Sequence, residues 1–111
     1  MITVMNENKN ILAREILLAF WKVHILHHAA EGPVYGLWIA GELRRHGYEI
    51  SPGTLYPMLK RMVEHGWLER SGGGGGAKSR QLCKITPEGA KVLEELRSQI
   101  RELHREVVEE Q

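Results

Sequence analysis

Apolar residues crowd the stretch 11–29: Ile11, Leu12, Ile16, Leu17, Leu18, Phe20, Trp21, Val23, Ile25 and Leu26 cover more than one stripe of a helix. No Gly or Pro interrupts them, and the pattern predicts a helix with Asn10 as its N-cap. A helix apolar on most sides must be buried on most sides. In so short a chain, part of that cover is expected from a second subunit. "EGPVYG", 31–36, predicts a turn, and a second helix is expected from about Gly36 to His46. Leu37, Ile39, Ala40 and Leu43 give that helix its inner face and flank. Arg44, Arg45 and His46 complement the dipole of its last turn, and Gly47 is placed to end it in a left-handed conformation.

The next stretch, "EISPGTLYPMLKRMVEHGWLERS", carries a helix whose inner stripe is Leu55, Leu59, Met62 and Val63, at i, i+4, i+7 and i+8. Its start is stiff. With Ser51 as N-cap, Pro52 takes the favoured first position and Pro57 falls inside at the loss of one hydrogen bond. With Thr54 as N-cap, Pro57 is the third helical residue and loses nothing. The pattern allows both starts. Gly66 ends the helix, with Ile50 expected to tuck inward before it. Two short strands follow, Trp67–Arg70 and Gln81–Thr86, joined by the glycine run 72–76 and Ala77, Lys78 and Ser79. Thr86 as N-cap, Pro87 at the first position and Gly89 at the third open a last helix. Along it Leu93, Leu96, Ile100, Leu103 and Val107 form a heptad seam. About two heptads are too few for a free coiled coil but enough for one helix of a dimer interface.

Composition changes this picture little, and charge changes it more. The 111 residues are 42% hydrophobic and 26% charged, ordinary for one small globular domain. The net charge of +1 hides an asymmetry. Between Arg44 and Thr86 eight Lys/Arg stand against three Glu, a net of +5; from Pro87 onward four stand against seven, a net of −3. The middle of the chain is therefore the candidate surface for a polyanion, although on charge alone the commoner reading is that such groups only solvate a surface. A single cysteine, Cys83, allows no disulfide framework within the chain, which fits a reducing, cytoplasmic setting. The sequence shows neither a secretion signal nor a stretch apolar enough to span a membrane, so no membrane partner is expected.

The order helix, helix, turn, helix, hairpin, helix is that of a winged helix-turn-helix: mainly α with a small β-hairpin and a C-terminal dimerisation helix. It divides into a DNA-binding domain over 1–86, the first helix included, and a dimerisation helix over 87–111. In such a fold the third helix enters the DNA major groove, and its N-terminus is an anion-seeking end. "ISPGTLYPMLKRMVEHGWLE", followed by a hairpin and "KITPEGAKVLEEL", resembles the PadR family of bacterial transcriptional regulators over roughly residues 11–100. The Ser-Pro-Gly-Thr-Leu-Tyr-Pro run is the most specific part, and the short tail is similar to the subgroup with a single C-terminal helix.

The resemblance implies a homodimeric repressor on an inverted repeat of double-stranded DNA, released by a small-molecule ligand or stress signal; a metal effector acting through the first-helix histidines is the alternative. It implies that Thr54, Tyr56 and Lys60 meet DNA from the recognition helix. Ser51 and Gly53 approach with their backbone, Arg61 adds a phosphate contact, and Lys78 and Arg80 track phosphates from the wing. It also implies that the last helix packs on the partner's first helix, so that Leu17 and Trp21 join Leu93, Leu96, Ile100, Leu103 and Val107 in the dimer. Where relatives carry an aromatic residue in the strand before the last helix, this chain has Cys83.

Other residue groups suggest other chemistry. His24, His27 and His28 sit at i, i+3 and i+4, half of a divalent-metal site that needs a third ligand such as Glu31 or a residue of the partner. Against that stands the commoner role of such histidines as hydrogen-bonded structural residues, which leaves the chain without a cofactor. Cys83, alone in a strand, fits a small buried hydrophobe better than a redox sensor. The glycine run joins two strands and lacks the Lys-Ser/Thr ending of a phosphate cradle. The chain has no Asp and no Ser/His/acid ordering, so an enzyme is not expected. The rival to a DNA-binding regulator is a winged helix that binds protein, and the basic middle favours DNA.

Overall fold

The computed structural model describes residues 6–71 and 82–110. Helix α1 runs Asn6–Glu31 and ends where Gly32-Pro33 bars another turn. A two-residue strand β1, Val34–Tyr35, leads into α2, Gly36–Arg45. Helix α3 spans Pro52–Glu64, strands β2 and β3 span Leu68–Ser71 and Leu82–Ile85, and α4 spans Pro87–His104. A π-helical turn, Arg105–Glu109, closes the described chain. The architecture is mostly helical with a small antiparallel sheet, as the pattern predicts, with three differences. Asn10 lies inside α1 and does not cap it. The turn expected at 31–36 contains β1, so the sheet has three strands in the order β1-β3-β2 rather than two. The inner stripe of α3 is Leu55, Met58, Leu59 and Met62, with Val63 on its flank.

Strand β1 exists because β3 offers it a partner. Val34 pairs with Cys83 and Tyr35 with Leu82, while β2 covers the other edge of β3 from Leu68↔Ile85 to Ser71↔Leu82. Cys83 is thereby buried and Lys84 faces out, the alternation the sequence carries. Burial raises the pKa of the Cys83 thiol, with Arg70 opposing, so the group stays a protonated thiol.

One core joins every long element: Trp21, Ile25, Leu26 and Ala29 of α1, Ile39 and Leu43 of α2, the stripe of α3, Leu68, Cys83, and Leu93 of α4. Ile25, Leu55 and Met58 are almost wholly removed from water, each burial favourable by about 1.5–3 kcal/mol. The opposite face of α1 still exposes Ile16 and Phe20.

Helices α2 and α3 end in the same way. Gly47 and Gly66 take positive φ, and the amides of Tyr48 and Trp67 reach back to the carbonyls of Leu43 and Met62. Each is a Schellman end, which a residue with a Cβ adopts only under strain. These two sharp stops set the turn before α3 and the entry into β2.

Helix α4 is clasped to the end of α3. The Thr86 hydroxyl accepts from the Gly89 amide at 2.9 Å and donates to the Gly66 carbonyl at 2.5 Å. The Thr86 amide donates to the Trp67 carbonyl at 3.1 Å. A Cβ on Gly89 would lie 2.1 Å from that carbonyl oxygen, so only glycine fits there.

Candidate functional site

The two starts that the pattern allows for α3 resolve at Ser51. The amides of Thr54 and Leu55 both reach the Ser51 carbonyl, at 3.0 and 2.9 Å, so Ser51 is the N-cap residue and Pro52 the first helical residue. Pro57 then sits inside the helix with no N–H to offer the Gly53 carbonyl four residues back. The Gly53 amide, in the first turn, has no intrahelical acceptor and remains available to an anion.

With the core stripe turned inward, the opposite face of α3 looks out. Ser51, Gly53, Lys60 and Arg61 are exposed; Thr54 and Tyr56 are half-buried at the edge of the face. The Tyr56 ring rests on Gly36, the first residue of α2. A Cβ there would come within 2.7 Å of Tyr56 Cε1, so a bare backbone makes room for the ring. Lys78 and Arg80, expected on the wing, lie outside the described residues, as does the glycine run. The described part of the wing adds Arg70, exposed on β2. Lys84 is engaged with Glu69 at 3.4 Å, an exposed pair of small energetic value.

One contact at this face has no signal in the helix pattern. Arg14 of α1 donates from Nη2 to Thr54 Oγ1 at 2.9 Å, and the same oxygen accepts from Ser51 Oγ at 3.3 Å. The N-terminus of α3 therefore carries an extra guanidinium, supplied from 40 residues away. Arg14, Lys60 and Arg61, all exposed, make this end and flank of the helix cationic.

The residues expected at a dimer contact separate into two groups. Trp21 and Leu93 are 3% and 2% exposed, spent on the chain's own core, which leaves them little surface to offer a partner. Leu17 and Leu96 are half-buried, while Ile100 and Leu103 are 45% and 53% exposed and Val107 lies open beyond them.

The histidines of α1 are drawn apart in a similar way. His24 and His28 lie with His46, the residue that ends α2, such that one ring nitrogen from each falls within 4.8 Å of the others. His27 instead points with His28 toward Glu31, and its Nδ1 lies 3.4 Å from Arg97 Nη2 of α4. Glu42 of α2 approaches Nε2 of both His46 and His28, at 3.2 and 3.6 Å. Burial first, then the neighbouring imidazoles of His46, His28 and His27, hold the His24 pKa below the usual histidine value, with Glu42 opposing.

A helix-turn-helix whose second helix turns a cationic, hydroxyl-bearing face outward beside a three-stranded wing defines a winged-helix transcriptional regulator. The family model of the PadR-like transcriptional regulators matches residues 25–95. The chain belongs to that family. It is similar to the transcriptional regulator Rv3488 of Mycobacterium tuberculosis (strain ATCC 25618 / H37Rv), 44% identical over 95 residues that cover 86% of this chain and 89% of that one. Among solved structures, a PadR family transcriptional regulator from Eggerthella lenta DSM 2243 matches with a TM-score of 0.71 and 28% identity over 94% of each chain. A PadR-like transcriptional regulator from Bacillus cereus strain ATCC 14579 matches at 0.73 and 26%, over 84% of this chain and 92% of that one. Among the described residues no helix is long and apolar enough to cross a membrane.

Proposed function

We propose that this PadR-family regulator is a homodimeric repressor that reads an inverted-repeat operator. The recognition helix is α3, and the wing lies along the flanking phosphates. The observation that supports the reading is the outward face of α3: Lys60 and Arg61 are exposed, Tyr56 lies half-buried at the edge of that face with its ring against Gly36, and Ser51–Thr54 begins the helix beside Arg14. The roles divide by chemistry. Lys60, Arg61 and Arg14 supply charge that displaces counterions and carries no sequence preference. Thr54 and Tyr56 have hydroxyls that can donate to a phosphate or a base edge, so they serve specificity. Because α3 is rigid before it meets DNA, little ordering entropy is lost on docking.

Two such heads are needed to span half-sites about 34 Å apart. The second copy is held through the α4 seam at Leu96, Ile100 and Leu103, continued by Ile16 and Phe20 of α1, apolar side chains that this chain alone leaves open to water. Repression follows from occupying promoter DNA, and release follows from any effector that changes the spacing or angle of the two heads.

The test is a titration of the purified protein against the DNA immediately upstream of its coding region and against an unrelated duplex, across a salt series. The expected result is two chains per site, preference for the upstream DNA by about 10³-fold or more, and affinity that falls steeply with salt. Absence of binding at low salt overturns the reading in favour of a protein-binding winged helix.

A further inference from the structure

The histidine cluster lies away from the DNA-reading face and is not used by it. We infer that His24, His28 and His46, with the Glu42 carboxylate as fourth donor, form a site for one Zn²⁺ that ties α1 to the turn leading into α3.

Three imidazole nitrogens within 4.8 Å of one another already outline a coordination sphere. A tetrahedral zinc site with Zn–N of 2.0–2.1 Å has donor–donor edges of roughly 3.4 Å, a closure that side-chain rotation supplies. His24 and His28 are one helical turn apart on α1, with their rings nearly parallel and centroids 6.4 Å apart. His46 comes from the other side, its ring centroid 4.9 Å from that of His24. The Glu42 Oε2 atom near both His28 and His46 adds a hard donor to the imidazoles, a set that suits zinc and not calcium or magnesium.

His28 shows the outer arrangement expected of a ligand. Its Nδ1 faces Glu31 Oε1 at 3.3 Å while its Nε2 faces Glu42. A carboxylate on one nitrogen fixes the ring and leaves the lone pair of the other for the metal. His46 is exposed, so the cluster is open to solvent on that side. His27, one residue away, is the contrast: it engages Arg97 and Glu31 and does not face His46.

The site's consequence for regulation rests on the DNA-binding reading; the site itself does not. His46 follows α2 directly and stands five residues before the N-cap of α3, so an ion shared with α1 couples the dimer-facing helix to the reading head.

The test uses the full-length protein without DNA, stripped by a chelator and then titrated with Zn²⁺ by calorimetry and with Co²⁺ by visible absorption. One ion per chain is expected, with the intense d–d bands of four-coordinate Co²⁺ and a thermal midpoint that climbs with zinc concentration. His46→Ala, at an exposed helix end, weakens zinc binding by more than the 10–100-fold typical of outer-shell changes, while Glu31→Gln costs about 10-fold and His27→Ala only a few-fold. Unchanged circular dichroism in each variant separates ligand loss from misfolding. Absence of binding overturns the site. So does binding that survives His46→Ala, or binding that depends on His27 in place of His46, because the ion then sits elsewhere. None of these results bears on operator binding, so the two readings fail separately.

Discussion

The start of α3 and the far half of α4 are both exposed helix surfaces, and they expose opposite chemistries. Around Ser51–Arg61 the exposed groups are hydroxyls, an amide, an ammonium and guanidinium groups, partly bonded to one another and otherwise readily solvated. On the seam face of α4 they include the aliphatic side chains of Ile100 and Leu103, which water does not satisfy. The reading head is thus finished within one chain: its core is closed, its ends are capped and its face is hydrated. The α4 seam is not finished within one chain. On the proposed reading the difference separates two kinds of exposure, one for a ligand that comes and goes, the other for a second copy of the chain.

Gly89 is where the two regions meet, and it carries the largest expected effect. Gly89→Ala forces a Cβ onto the Trp67 carbonyl, a backbone atom that cannot swing aside. A loss of about 3 kcal/mol or more in urea unfolding is expected, with both surfaces damaged together. Near-neutral behaviour would mean that the clasp is looser than its geometry. The seam comes next. Ile100→Glu with Leu103→Glu should leave the fold intact, convert the dimer to monomer by sedimentation and weaken operator binding by about 10²–10⁴-fold through lost bivalency. A monomer that binds as tightly as the parent breaks the comparison.

Changes on the head are smaller and sort by type. Tyr56→Phe keeps the ring on Gly36 and removes only the hydroxyl. It should cost about 1 kcal/mol against the operator and little against random duplex. Lys60→Ala should weaken both duplexes alike and lower the salt slope by about 1. If Tyr56→Phe were uniform and Lys60→Ala selective, the assignment of reading and positioning groups would be reversed. Arg14→Ala is the mildest: the loss of one exposed hydrogen bond and one charge should cost about 0.5–1 kcal/mol of operator affinity, measured by anisotropy, with no change in fold.

Local patterns were enough for most of the fold. The cap at Thr86, the left-handed Gly47 and the heptad of α4 depend on residues within a few positions of one another, and each reads directly from the chain. What stayed hidden depends on distant partners. Val34–Tyr35 is a strand only because Cys83 and Leu82 lie beside it. Met58 falls three residues after Leu55 on the same helical face, and the packing of α3 buries it while leaving Val63 on the flank. For the proposed reading head, the family resemblance points to residues between Ser51 and Arg61, whereas Arg14 carries no signal because its partner is 40 residues away. The same holds for the histidines. Spacing along α1 cannot tell His27 from His28, and only the end of α2 distinguishes them by bringing His46 to one side.

Thr86 has a consequence beyond capping. Its hydroxyl links the residue that ends α3 directly to the first turn of α4. If two chains join along α4 as proposed, a tilt of one long helix against the other would be passed through this link to α3. A signal that shifts the inter-subunit angle by a few degrees needs no separate transmission device.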